Sequence, residues 1–121
     1  MDNSKIYSYK DLIVWQKSYE LVKIVYKITS KLPQSEVFGL QSQIRRCVVS
    51  IVSNIAEGSS RKTRKDYAHF LNMSYGSVAE SETQLFLCRD LYNIDISEAL
   101  SLLTEISKML RVIINKLEPK N

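Results

Sequence analysis

The sequence predicts an all-α fold, an up-down-up-down antiparallel four-helix bundle, and three observations carry that expectation. Apolar residues recur three and four apart through four long segments, the rhythm of helices with one buried face. Only three Gly and two Pro occur in 121 residues, too few for the frequent turns of a sandwich or barrel. The breaks between segments are a few residues each, which forces consecutive helices antiparallel. With 45% hydrophobic and 25% charged residues, the composition is that of an ordinary soluble domain, and the length suits one. The expected organisation is a tail over 1–10, the bundle over 11–117 and a short tail over 118–121.

The first helix is expected from Asp11 to Leu32, where Leu32-Pro33 stops it, because the residue before proline avoids helical geometry. Leu12, Trp15, Tyr19, Val22, Tyr26 and Thr29 form its expected core line. A second apolar line, Val14, Leu21, Val25, Ile28 and Leu32, lies on another face. One pair of neighbouring helices cannot cover both lines. Val14, Leu21, Val25 and Ile28 are therefore the expected oligomer interface, and a homo-oligomer is expected over a monomer.

The second helix is expected from Glu36 to Glu57, with Ser35 as N-cap and Gly58 as a left-handed C-cap. Its core line is Val37, Leu40, Ile44, Val48, Ile51 and Ile55. A polar line, Gln43, Arg46, Ser50, Ser53 or Asn54, and Glu57, keeps the same rhythm. That line is either a solvated face or a hydrogen-bonded seam against another helix or subunit. Ser and Asn are poor residues for a merely exposed helix interior, which favours the seam. Arg46, Asn54, Glu57 and, on the third helix, Glu80 are its expected members.

The third helix is expected from Asp66 to Tyr92, opened by the capping-box spacing of Thr63-Arg-Lys-Asp66. Tyr67, Leu71, Ser74, Val78, Ser81, Leu85, Cys88 and Tyr92 hold its core line. Gly76, weak in a helix, is expected at a close backbone contact. Asp95-Ile-Ser-Glu98 can cap the fourth helix, whose stripe is Leu100, Leu103, Ile106, Leu110, Ile113 and Leu117.

Several chemistries lack their residues. There is no Gly-rich phosphate loop and no strand for one to follow. His69 is the only histidine, so multi-histidine metal sites and the Glu-x-x-His pairs of di-iron bundles are excluded. Cys47 and Cys88 have no Cys-x-x-Cys spacing and read as buried free thiols in a reducing cytoplasm. No apolar run approaches the roughly 20 residues that span a bilayer, and Met-Asp-Asn-Ser-Lys does not begin a signal peptide. No catalytic residue, metal or cofactor is expected, and the expected location is cytoplasmic.

The charge map points elsewhere. Six of the seventeen Lys/Arg and one of the thirteen acids lie between Arg45 and Lys65, a local balance of +5. The rest of the chain, eleven bases against twelve acids, is close to neutral. A focused basic patch on a protein of pI about 9.1 fits an anionic partner, nucleic acid being the commonest. Arg45, Arg46, Arg61, Lys62, Arg64 and Lys65 are the expected phosphate contacts, with Arg45 favoured over Arg46. Such contacts position the partner without reading its sequence.

Longer stretches are distinctive: Leu12-Ile-Val-Trp15-Gln-Lys17, Leu32-Pro33, Glu36-Val-Phe-Gly-Leu40, Gln43-Ile-Arg-Arg46, Ser50-Ile-Val-Ser-Asn-Ile-Ala-Glu-Gly58, and Gly76-Ser77 with Glu80-Ser-Glu-Thr-Gln-Leu85. From about Tyr9 to Leu117 the chain resembles a bacterial four-helix-bundle family. That family was first named for proteins encoded in intervening sequences of 23S ribosomal RNA genes. It is similar in turn to the accessory protein of diversity-generating retroelements, a positively charged pentameric barrel that engages a reverse transcriptase and nucleic acid. The resemblance implies a pentamer of bundles with a basic binding surface. Two positions depart from the family pattern: Tyr75 stands where a basic residue is frequent, and Ser81 where an apolar one is.

The expected function is that of a non-enzymatic, oligomeric bundle binding RNA or single-stranded DNA with little sequence preference. The alternative is a protein–protein scaffold that docks a partner such as a polymerase.

Overall fold

The computed structural model describes residues 8–118; of the expected tails over 1–10 and 118–121, residues 1–7 and 119–121 lie outside the described residues. A short 3-10 turn at Tyr9–Asp11 leads into α1 (Ile13–Thr29). A second such turn at Gln34–Glu36 precedes α2 (Leu40–Ser59), followed by α3 (Arg64–Tyr92) and α4 (Ser97–Leu117). Among the described residues there is no strand. Each helix packs on its two neighbours in a square, α1 against α2 and α4, α3 against α2 and α4.

Contacts along the pairs run antiparallel. On α2 and α3, Gly58 meets Tyr67 and Phe70, Ile51 meets Ser74, and Cys47 meets Ser77. Thr29 of α1 meets Gln41 and Arg45 of α2, Lys17 meets Glu105 of α4, and Tyr75 of α3 meets Arg111 of α4. The ends of the bundle therefore differ. One carries the α1 N-terminus, the α2–α3 loop and the α4 C-terminus; the other carries the α1–α2 and α3–α4 connections.

The core of α1 is the line expected to face outward. Val14, Leu21, Val25, Ile28 and Leu32 are buried inside the single chain, with Ser18 among them donating to the Val14 carbonyl at 2.7 Å. They pack with Ile44, Val48, Ile51 and Ile55 of α2 and with the α3 and α4 lines. Val14, Leu21, Val25 and Ile28 are thus corrected from oligomer interface to intramolecular core. Tyr19 and Tyr26, on the expected core line, are exposed instead. The physical reason is that compact aliphatic side chains fill a four-helix interior densely, whereas phenols keep their hydroxyls wet at the edge.

Two expectations about glycines are also corrected. Gly58 lies inside α2, and no glycine has a positive φ. A Cβ there would stand 2.9 Å from Phe70 Cβ and 3.0 Å from Tyr67 Cδ1, so the glycine serves close approach of α3. Gly76, expected at a close contact, faces open space. The left-handed C-cap belongs to Asn93 at the end of α3, with φ 55°.

Ser35 does not cap α2. Gly39 occupies the N-cap position, and Glu36 reaches forward so that its Oε1 accepts from the Leu40 N–H at 3.0 Å. The other carboxylate oxygen accepts from the Tyr92 hydroxyl of α3, tying the α2 entry across the bundle end. Val37, one residue past that turn, is consequently exposed rather than core. The Thr63 cap forms as expected, its Oγ1 accepting from the Asp66 N–H at 3.0 Å.

Gly76→Ala should raise stability by about 1 kcal/mol, because it adds helix propensity where nothing is displaced. Gly58→Ala should lower it by about 1–3 kcal/mol through overpacking; chemical denaturation of both variants reads the opposite signs. The Tyr92 hydroxyl and the Leu40 N–H hold the Glu36 carboxyl below its ordinary range. A depressed folded-state value contributes stability above the ordinary carboxylate range, and that contribution is lost as pH falls through the folded value. Tyr92→Phe should therefore be less stable than the parent at pH 7, with the gap in Tm narrowing as the solution is acidified through the carboxylate range.

Candidate nucleic-acid interface

The six cations do not form one patch. Arg45 and Arg46 lie in the first half of α2, about 20 Å along the axis from the α2–α3 loop at 1.5 Å per residue. Arg61, Lys62, Arg64 and Lys65 cluster at the end shared by the α1 N-terminus and the α4 C-terminus.

Arg45 is committed to the fold. Its Nε donates to Thr29 Oγ1 at 2.9 Å and its Nη2 to the Tyr26 carbonyl at 3.2 Å. Its guanidinium lies 4.4 Å from the Tyr26 ring centroid. Those contacts satisfy carbonyl and hydroxyl groups at the α1 C-terminus, where cations are favoured by the helix dipole. Arg46, one residue and about 100° further round α2, is exposed and has no partner among the described residues. Of the two, the residue expected to be the better phosphate contact, Arg45, is the one whose guanidinium is held inside the fold.

At the basic end the four cations divide. Arg61 pairs with Glu57 at 2.6 Å and lies 4.6 Å from the Phe70 ring centroid. Arg64 donates to the Lys116 carbonyl, closing the last turn of α4. Lys62 and Lys65 are exposed and have no partner among the described residues. The α3 N-terminus opens at the same place; Thr63 caps its Asp66 N–H and the Asp66 carboxylate lies in its first turn, so its partial positive charge is offset in part. His69 is exposed and edge-on to Phe70 at 5.5 Å, whereas Tyr67 is half-buried against Gly58.

The expected network of Arg46, Asn54, Glu57 and Glu80 does not assemble. Glu57 is 49% exposed at its side chain and bonds Arg61. Asn54 donates only to the Ser50 carbonyl and hydroxyl, at 2.9 and 3.0 Å. Glu80, like Arg46, is exposed without a partner among the described residues. Long charged side chains can stay hydrated at the rim of the helix pair, and desolvating them costs more than a pairing returns.

The seam itself exists and is made of shorter side chains. Ser74 Oγ donates to the Ile51 carbonyl at 2.8 Å, Cys47 Sγ to the Ser77 carbonyl at 3.2 Å, and Ser50 and Ser77 hydroxyls meet at 3.2 Å. Outside the seam runs a polar groove flanked by Arg46, Glu80 and Gln84, with Phe38 at one end 95% exposed. Gln84 Oε1 is buried there without a hydrogen-bond partner. Tyr75 carries a cation by proxy, since Arg111 of α4 donates to its hydroxyl at 2.8 Å.

Burial pushes the Cys47 and Cys88 thiols up, away from the thiolate that nucleophilic chemistry needs. His69 sits two turns along α3 from Ser77, the residue Cys47 contacts. Among the described residues no three His, Cys, Asp or Glu side chains converge in a way that could hold a metal ion. No helix among them is long and apolar enough to cross a membrane.

The profile of the family described as 23S rRNA-intervening sequence protein matches residues 10–115. Among solved structures, a protein of unknown function from the S23 ribosomal protein family of Bacteroides thetaiotaomicron is 29% identical to this chain. It superposes with a TM-score of 0.75, over 84% of this chain and 98% of that one. No curated protein matches the chain.

Because Arg45 holds α1 to α2 and Arg46 holds nothing, their alanine variants should separate cleanly. Arg45→Ala should cost about 1–3 kcal/mol, the range for charge-assisted hydrogen bonds. Arg46→Ala should stay within about 0.5 kcal/mol of the parent. Urea denaturation of the two variants measures the difference.

Proposed function

The chain belongs to the 23S rRNA-intervening sequence protein family, and on that premise we propose a non-enzymatic helical bundle that binds RNA or single-stranded DNA through its basic end. The observation that carries this reading is the pair Lys62 and Lys65, exposed and unpaired among the described residues, beside Arg61 and Arg64 and the N-terminus of α3. Cations that close no internal contact remain available to phosphates. Their attraction is sequence-tolerant and draws its free energy from counterion release. Arg46, about 20 Å away along α2, belongs to a different surface.

Self-association is part of the same proposal, and the family resemblance makes a pentamer its first form. The interface moves from the α1 line to the groove beside α2 and α3. Phe38 is 95% exposed there, and Gln84 has a buried oxygen without a partner. A second copy seated on that groove would cover a phenyl ring that otherwise stands in water. A ring of copies would also repeat the basic end several-fold. The same observation favours a scaffold reading, in which a polymerase-type protein occupies the groove instead.

Binding to a fluorescent single-stranded oligonucleotide should be measurable near 50 mM salt and should weaken steeply as salt rises. Lys62→Glu with Lys65→Glu should weaken it and lower the log–log salt slope by about 1 for each phosphate no longer neutralised, with helicity unchanged. Absence of binding by the parent at low salt would overturn the nucleic-acid reading. Light scattering should return a multiple of 14.0 kDa that falls in Phe38→Asp. A parent mass of one chain would leave the groove to a different protein.

A further inference from the structure

Beside the buried line of α1, four aromatic residues of the helix and the turn before it lie towards the surface, Trp15 among them half-buried against the core. Tyr9 and Trp15 meet edge-on at 5.3 Å, and Trp15 stacks on Tyr19 at 5.0 Å with 29° between planes. Tyr26 follows two turns further along. Tyr19 is 51% exposed and Tyr26 41%. Cations border the row: Lys23 lies 5.7 Å from the Tyr19 centroid while paired to Glu20, and Arg45 covers Tyr26. Gln16 donates to the Lys10 carbonyl at 2.9 Å, which pins the Tyr9 turn onto α1.

The row begins where the basic end lies. The Tyr9–Asp11 turn packs against α2 as well as α1, at the end from which the α2–α3 loop leaves. From Ile13 to Tyr26 the helix rises about 20 Å. Lys65 lies on the α3–α4 side of that end, against Lys116 and Leu117, and the Tyr9 turn on its α1–α2 side, so a strand would cross the bundle end to pass from the cations to the rings. Single-stranded nucleic acid is bound by this combination elsewhere, a cationic path for the backbone and ring faces for the bases.

We propose that the Tyr9–Trp15–Tyr19–Tyr26 row of α1 is a stacking platform for unpaired bases of a single strand anchored at the basic end. The proposal rests on the nucleic-acid reading given above and adds to it the residues that would take the bases of a single strand in preference to a duplex. Duplex bases are already stacked on each other and cannot reach the rings, whereas phosphates are common to both.

Trp15 is the only tryptophan in the chain, so its emission reports on the row alone. The probe is a labelled twelve-nucleotide oligothymidylate, with the same strand in a duplex and inorganic polyphosphate as comparisons. Oligothymidylate should quench Trp15, while polyphosphate should bind without quenching and the duplex should bind more weakly than the single strand. Tyr19→Ala should reduce oligothymidylate affinity about tenfold, the scale of one lost base–ring stack. Tyr19→Phe should restore it, and polyphosphate affinity should not change in either variant. Oligothymidylate binding by anisotropy with no change in Trp15 emission and no effect of Tyr19→Ala would overturn the platform and leave the basic end standing. No binding of any probe would overturn the nucleic-acid reading itself. A fall in oligomer mass in Tyr19→Ala would assign the row to a second copy of the chain and overturn the platform.

Discussion

The close approach of α2 and α3 is the constraint on which the rest depends. Gly58 allows it at one end, where any side chain would meet Tyr67 and Phe70. Ser74, Ser77, Ser50 and Cys47 allow it along the middle, each short and each hydrogen-bonded across or along the pair. A bundle packed only by Leu and Ile would hold these helices further apart. With the two helices this close, the chain turns from one to the other in four residues. The cations of that turn are then forced to the surface, at the bundle end.

A division of labour follows on α1. The helix is apolar on two faces, and the bundle uses the aliphatic one. The aromatic face stays at the surface, partly covered by Arg45 and Lys23 rather than by another helix. The same arrangement explains why neighbouring arginines behave differently. Arg45 points into the α1–α2 groove and satisfies the α1 C-terminus, while Arg46 points into solvent beside Glu80. Charge alone does not distinguish them; the 100° step of the helix does.

The helix rhythm makes the fold legible in the sequence. The lines of α2, α3 and α4 lie largely where their spacing places them, as does the Thr63 cap, with Val37 the exception on α2. The buried face of α1 is not legible, because both lines are apolar and hydrophobicity cannot rank Leu21 against Tyr19. Packing shape decides it, and shape depends on residues of three other helices. Gly58 is ambiguous in sequence because a glycine near a helix end has two uses, a positive φ or room for a neighbour. Asn93, the residue that does adopt the left-handed turn, carries a usable signal in its type and its place before the break. The charge cluster falls within one stretch of sequence but not at one place in space, since α2 separates its two parts by most of its length. The polar seam differs from expectation in membership rather than kind: serines close it, and the longer Arg46, Glu57 and Glu80 remain outside.

The central claim is that the α2–α3 turn, and not the middle of α2, meets nucleic acid. Amide chemical-shift mapping during titration with a short single-stranded oligonucleotide tests it most directly. The expected shifts are confined to residues 61–66 and to the neighbouring aromatic face of α1, with the amides around Arg46 and Glu80 unmoved. Shifts centred on Arg46, Glu80 and Gln84 with a silent 61–66 segment would contradict it.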